Sequence, residues 1–318
     1  MPLTPEQERL MRIFFPFAHA RQSAVRSQGT RFVHYTNAEA AMNILRTKEV
    51  WMRESSCMND FMEVQHGLNC VIAAYSAGEK TFKRALDSLF SGISGDIEKL
   101  FDGWAPHFRN DTYLTCVSEH DPTEDTFGRL SMWRAYSEVT GVAIVMHSSP
   151  FLSESTALKA YASPVAYFSD KEFSKEFDKI RSFIEAEADF LRTLDRQVIV
   201  NIVFRMLMFA ALCTKHPGFR EEREWRVIYC PPLEKSDYVI KDIRAIGGAP
   251  QPIYKIPLND IPNEGLVGVE IPALIERVII GPTKYPLAMW KAFTALLTDA
   301  GMDNASGRVF VSDIPLRR

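Results

Sequence analysis

The segment Glu222-Arg223-Glu224-Trp225-Arg226-Val227-Ile228-Tyr229 constrains the fold more than any other stretch of the chain. Read with the two-residue period of a strand, Arg223, Trp225, Val227 and Tyr229 point one way and Glu222, Glu224, Arg226 and Ile228 the other. Trp225, Val227 and Tyr229 suit a core face. Two carboxylates and a guanidinium then share the opposite face, although Glu is normally depleted from strand interiors. Either that face is open to water, with Glu224 and Arg226 neutralising neighbours across the sheet, or it lines a cleft.

The rest of the chain bounds what such a strand can belong to. Its 318 residues suffice for one large domain or two ordinary ones, and 46% hydrophobic with 24% charged content is ordinary for a globular protein. A net charge of −3 argues against a nucleic-acid footprint over the whole surface and leaves room for a local basic groove. The five cysteines (Cys57, Cys70, Cys116, Cys213 and Cys230) are scattered and form no C-x-x-C pair, which fits a reducing, cytoplasmic setting. Acidic Glu6 stands where a secretory signal has basic residues. The most apolar run, Val198 to Cys213, is broken by Asn201 and Arg205 and is too short to span a bilayer; it reads as a core helix, and no membrane partner is expected.

Thr4-Pro5-Glu6-Gln7 is a helix start, and residues 1–30 read as a helical extension. Residues 31–318 read as a single domain with a helical insertion at about 171–216. Strands are expected at Arg31–Thr36, Val50–Met52, Thr112–Ser118, Gly141–Met146, Pro164–Phe168 and Val309–Val311, besides the charged segment. Asn37 should cap a helix over Ala38–Thr47, and a further helix should open at Asn59-Asp60 and run to about Tyr75. Residues 79–109 read as more helix, with breaks at Ser91-Gly92 and Ser94-Gly95, and Glu234–Pro252 as a Gly/Pro-containing loop. Strands scattered among helices without β-α-β alternation predict an α+β fold around a mixed, mostly antiparallel sheet.

Several constellations carry chemical potential. His34, mid-strand with Thr36 on its own face and Tyr35 on the other, is either a half-buried His satisfied by a carbonyl or a hydrogen-bond partner for a ligand hydroxyl. Asn59-Asp60-x-x-Glu63 has the spacing of a capping box; a metal site from Asp60, Glu63 and His66 lacks a ligand-spacing motif. In Ser131-Met132-Trp133-Arg134-Ala135-Tyr136, Trp133 and Tyr136 share a helix face: a core stripe, or a platform for a flat ring with Arg134 available for phosphate. Cys213-x-x-His216 reads as a core thiol followed by a helix-terminal charge. P-loop, Rossmann, nucleophile-elbow and H-E-x-x-H motifs are all missing from the sequence.

In order, His34-Tyr35-Thr36, Asn59-Asp60-Phe61-Met62-Glu63, Cys116-Val117-Ser118, the Ser131–Tyr136 segment, Gly141-Val142, Glu222-Arg223-Glu224-Trp225-Arg226, Gly281-Pro282 and Ser312-Asp313-Ile314-Pro315-Leu316-Arg317 resemble a large, mostly bacterial family catalogued as a domain of unknown function. A strand His-Tyr-Thr, a central hydroxyl-and-aromatic segment and a late Glu-x-Glu are also similar, more loosely, to ADP-ribosyltransferases. That likeness implies a fold of their type, with NAD as the substrate. His34 would bond a ribose hydroxyl and Glu224 the 2′-hydroxyl, Tyr136 or Trp133 would stack on nicotinamide, and Glu222 would orient or deprotonate the acceptor. Tyr35, Thr36, Ser131, Arg134 and Arg226 would complete the nucleotide site. No Ser-Thr-Ser strand or Tyr-x10-Tyr element is found.

The chemistry implied is cleavage of the nicotinamide glycosidic bond through an oxocarbenium-like sugar, which an ionised carboxylate stabilises without a metal. The ADP-ribose would pass to water or to a macromolecular acceptor, protein or nucleic acid. The alternative is a non-catalytic nucleotide-binding or protein-interaction module on the same fold.

Overall fold

A computed structural model describes residues 4–57, 63–136 and 140–315. Thr4 caps α1 (Pro5–Phe14) through a reciprocal capping box with Gln7, and α2 (Pro16–Gln28) restarts at Pro16. β1 (Arg31–Asn37), α3 (Ala38–Thr47) and β2 (Glu49–Glu54) follow, then two long helices, α4 (Glu63–Asp87) and α5 (Ile93–Asn110). Next come β3 (Tyr113–His120), the short α6 (Leu130–Tyr136) and β4 (Gly141–Met146). β5 (Ala160–Pro164) and β6 (Ala166–Tyr167) lead into α7 (Asp170–Ala186), α8 (Ala188–Leu191) and α9 (Arg196–Leu212). β7 (Thr214–Lys215) and β8 (Glu224–Tyr229) precede β9 (Ile240–Ile246) and β10 (Ala249–Pro257). α10 (Ile271–Leu274), β11 (Ile275–Ile280), α11 (Pro286–Asp299) and β12 (Val309–Val311) complete the described chain.

The α+β class and the mostly antiparallel sheet are as the sequence predicts. Asn37 caps α3 with its side chain on the Ala40 N–H at 2.8 Å. Other expectations need correction. α4 continues past Tyr75 to Asp87, and the break before α5 falls at Gly92, so Ser94-Gly95 lies inside a helix. The Pro164–Phe168 strand is two pieces, β5 ending at Pro164 and β6. The expected 234–252 loop holds β9 and the start of β10, a hairpin turning on Gly247 and Gly248 at φ 59° and 83°. β9 is an edge strand with most side chains exposed, so it lacks the apolar alternation that announces a strand.

The sheet runs β12-β11-β4-β1-β3-β2-β10-β9, with β8 on β3 and β5 on β8. β3 is its branch point. One edge pairs with β8 from Tyr113 to Ser118; the other pairs with β2 at Tyr113–Leu114 and with β1 at Ser118–His120. Between those contacts, among the described residues, no strand covers Thr115–Val117 on that edge. The sheet therefore splits there.

Two main cores flank it. One is helical, built from α1, α4, α5, α7 and α9 around residues such as Leu68, Phe82, Phe108, Phe204 and Leu207. Leu10, Ile13 and Phe14 of the N-terminal segment are buried in this core, beside the helices of the 171–216 stretch. The other packs α3 and α11 on the sheet around Phe32, Val117, Trp225 and Phe293. Full burial of each such side chain contributes about 1.5–3 kcal/mol. Among the described residues, no helix is long and apolar enough to cross a membrane.

Candidate functional site

β8 is an interior strand buried on both faces, which removes the water-exposed reading of its charges. Glu224 is 6% exposed and Arg226 0%. The guanidinium bonds to both a side chain and a helix end. Its Nε donates to Glu224 at 2.8 Å, and an Nη donates to the Leu212 carbonyl, one of the free carbonyls at the end of α9. Lys215, from β7, donates to Glu224 at 3.3 Å and to Glu222 at 2.6 Å, and its ammonium lies 4.7 Å from the Phe219 ring centroid. Burial by itself would raise the Glu224 pKa. Arg226 and Lys215 outweigh it, bringing the carboxyl from the usual 4.5 down to about 2.

Glu222 reaches this cluster by a route that strand period does not anticipate. Arg223 sits in the left-handed region at φ 47°, so the strand starts at Glu224 and Glu222 belongs to the preceding helical turn. Tyr136 donates to Glu222 at 3.1 Å, and the Tyr167 hydroxyl accepts the Glu224 N–H at 2.8 Å. Burial raises both phenol pKa values, so both hydroxyls stay protonated at neutral pH. Of the predicted site residues, Glu222, Glu224, Arg226 and Tyr136 thus come together. Sequence reading missed Lys215 and Tyr167; a lysine directly after a long apolar helix was the available signal for the first.

His34 is elsewhere. Val33 pairs with Ser118 and Ser118 with Glu224, so those three side chains share a face and His34 takes the other. The expected arrangement, His34 and Glu224 holding one ribose in one cleft, is therefore not formed: the two stand back to back across a single layer of sheet. His34 fills the split instead. Its Nδ1–H donates to the Cys116 carbonyl at 2.8 Å, on the stretch of β3 edge that no strand covers. Desolvation lowers the pKa of the ring, although the Cys116 bond pulls the other way.

The remaining predicted residues divide between the faces. Tyr35 lies on the Glu224 side, its hydroxyl accepting the Arg129 N–H at 2.8 Å and its ring edge-on to Trp133 with centroids 4.9 Å apart. Trp133 is 0% exposed, and its indole N–H donates to the Phe127 carbonyl. A Cβ on Gly128 or Gly281 would meet the indole at 2.6 or 2.9 Å, so two glycines form its cradle. Trp133 is thus a core residue with no free ring face to offer nicotinamide, a correction to its expected role. Thr36 lies on the His34 face, Ser131 is half-buried on α6 and Arg134 is exposed. Asn59 and Asp60 lie outside the described residues; Glu63 is described only as the first residue of α4.

On the His34 face lies a cavity of about 590 Å³. Phe15, Phe151, Leu158, Val227, Ile256 and Leu274 supply much of its wall, with His34, Thr115, Gln22 and Asn201 among its polar points. Met11, Phe15, Ala18, Gln22 and Arg26 of α1 and α2 also line it, which gives the N-terminal helices a place in the site. Arg26, paired with Glu154 at 3.0 Å, and Arg205, paired with Glu234, add charge to the mostly apolar lining. No motif announces this cavity, because its wall is collected from eight or more separated segments.

No curated protein and no solved structure matches the chain. The matched family covers the stretch that carries Tyr136, Tyr167, Lys215, Glu222, Glu224 and Arg226, and leaves out His34: residues 132–227 match the family described as Protein of unknown function (DUF2971).

Proposed function

We propose that this chain binds a small molecule in the His34 cavity, a ligand with an apolar body and one hydroxyl or N–H donor. One observation carries the reading. A carbonyl can only accept, so the 2.8 Å contact with Cys116 places the imidazole proton on Nδ1. Nε2 then bears a lone pair, and the lowered pKa keeps it so at neutral pH. His34 lines the cavity, and among the described residues no protein group bonds that nitrogen. The cavity volume lies in the ordinary range for ligand sites, about 300–1,000 Å³. Covering its wall with apolar ligand surface contributes about 25 cal/mol per Å².

N-phenyl-1-naphthylamine, an apolar fluorophore with a single N–H, is a direct probe. It should bind saturably at one per chain, lose binding in Ala162→Phe, which fills the cavity, and weaken about tenfold in His34→Phe. Binding that ignores Ala162→Phe would place the probe elsewhere and defeat the reading.

A different observation favours a second reading, ADP-ribose transfer from NAD to water or to a protein or nucleic-acid acceptor. Glu224 is held ionised, and the partly exposed Glu222–Tyr136 pair leads from it toward the surface. An anion fixed in that way is suited to stabilising an oxocarbenium-like sugar. On this geometry Glu222 is the carboxylate nearer solvent, and the sugar is held without His34. Nicotinamide release from NAD, lost in Glu222→Gln, is the expected result; equal release by the variant and the parent would rule the reading out.

A further inference from the structure

His66 and Cys70 lie one turn apart on α4 and so present side chains on one face of the helix. Asp170, the first residue of α7, completes a group whose donor atoms all lie within 4.8 Å of one another. Cys70 Sγ is 3.3 Å from Asp170 Oδ1 and 3.6 Å from His66 Nε2. A tetrahedral zinc ion with bonds of about 2.3 Å to sulfur and about 2.0–2.1 Å to nitrogen or oxygen requires sulfur-to-ligand edges of about 3.5 Å. The two observed edges bracket that length. The three side chains also differ in kind, a thiol, an imidazole and a carboxylate, which together form a donor set suited to zinc.

We propose that His66, Cys70 and Asp170 form a zinc site with water as the fourth ligand. Zinc forms bonds to Sγ, to Nε2 and to one Asp170 oxygen; the thiol proton leaves to solvent, and the imidazole carries its proton on Nδ1. The His66 Nε2 contact with the Phe168 carbonyl at 3.0 Å is given up in that tautomer. Zinc on Nε2 takes the direction in which that carbonyl now lies, so the Phe168 carbonyl turns aside as the ion binds. Without metal, burial and the Asp170 carboxylate push the Cys70 thiol up to about 12, which argues against a nucleophilic or redox role for it. An ion here would tie α4 to the start of α7, two helices of one core. It would also sit directly after β6, whose Tyr167 pairs with Lys215.

Cobalt(II) titration of chelator-stripped protein tests the site. The expected result is one cobalt per chain, strong visible bands of a four-coordinate ion and a thiolate charge-transfer absorption, all displaced by zinc. Cys70→Ser should abolish the charge-transfer band. Asp170→Asn, a change at an exposed helix start, should keep the circular dichroism of the parent and weaken cobalt binding at least tenfold. A weak six-coordinate spectrum, or affinity and spectrum unchanged in Cys70→Ser and Asp170→Asn, would overturn the proposal.

Discussion

The two faces of the sheet at β3 and β8 differ in what they leave unsatisfied. On one, Glu224, Arg226, Lys215 and Glu222 bond to one another, to Tyr136 and to a helix end. On the other, His34 spends one nitrogen on the Cys116 carbonyl and turns the other to an apolar cavity. The first face resembles a finished joint, held by mutual neutralisation. The second has an acceptor that only a ligand or solvent can use. The two proposed readings part here: charge density favours the Glu224 face, and the unmet hydrogen bond favours the His34 face.

Breaking the joint should have the largest effect. Arg226→Met leaves Glu224 buried without its nearest cation and should lower unfolding stability by about 3–5 kcal/mol in urea titration. Arg226→Met combined with Glu224→Leu should recover part of that, because the carboxylate left with Lys215 alone is removed, while the Leu212 carbonyl stays without its donor. A loss below about 1 kcal/mol in the single variant would mean that the network is solvated after all.

Acid gives the next effect, and the sign follows from the pKa shifts. Glu224 is depressed from 4.5 to about 2, so its contribution is complete above about pH 4.5 and is lost as pH falls toward 2. The loss should amount to a few kcal/mol. His34 is also lowered, so below its ordinary 6.5 the unfolded chain binds the proton first and stability falls there too. Stability against pH should thus decline in two stages; His34→Phe should shrink the upper, which His120 shares, and Glu224→Gln the lower, which Asp125, Glu234 and Glu276 share.

His34→Phe should cost about 1–3 kcal/mol at neutral pH, the penalty for orphaning the Cys116 carbonyl. Tyr136→Phe, at the partly open end of the charged cluster, should cost least, about 1 kcal/mol, by thermal unfolding. If the order of these two is reversed, the contrast between the faces is weaker than their hydrogen bonds indicate.

Much of this was legible in the sequence where the signal is local. The Asn37 cap, the Thr4 capping box and the Trp225/Val227/Tyr229 core face all follow from neighbours within four residues. Period two also states that Glu224 and Arg226 share a face, but not whether anything covers it. The relation of His34 to Glu224 depends on the register of β1 on β3 and of β3 on β8, which no single strand encodes. Lys215 arrives from another strand, and the cavity wall from many segments, so where each meets the site is set by tertiary packing rather than by neighbours in sequence.

The cradle around Trp133 bears on how such a chain can vary. Gly128 stands at φ 70° with the indole where its side chain would be, and Gly281 meets the ring from a segment far away in sequence. Replacing either glycine demands a smaller ring, and a smaller ring leaves a void that neither glycine can fill. The three positions therefore constrain one another: a side chain at either glycine and the full indole of Trp133 claim the same space.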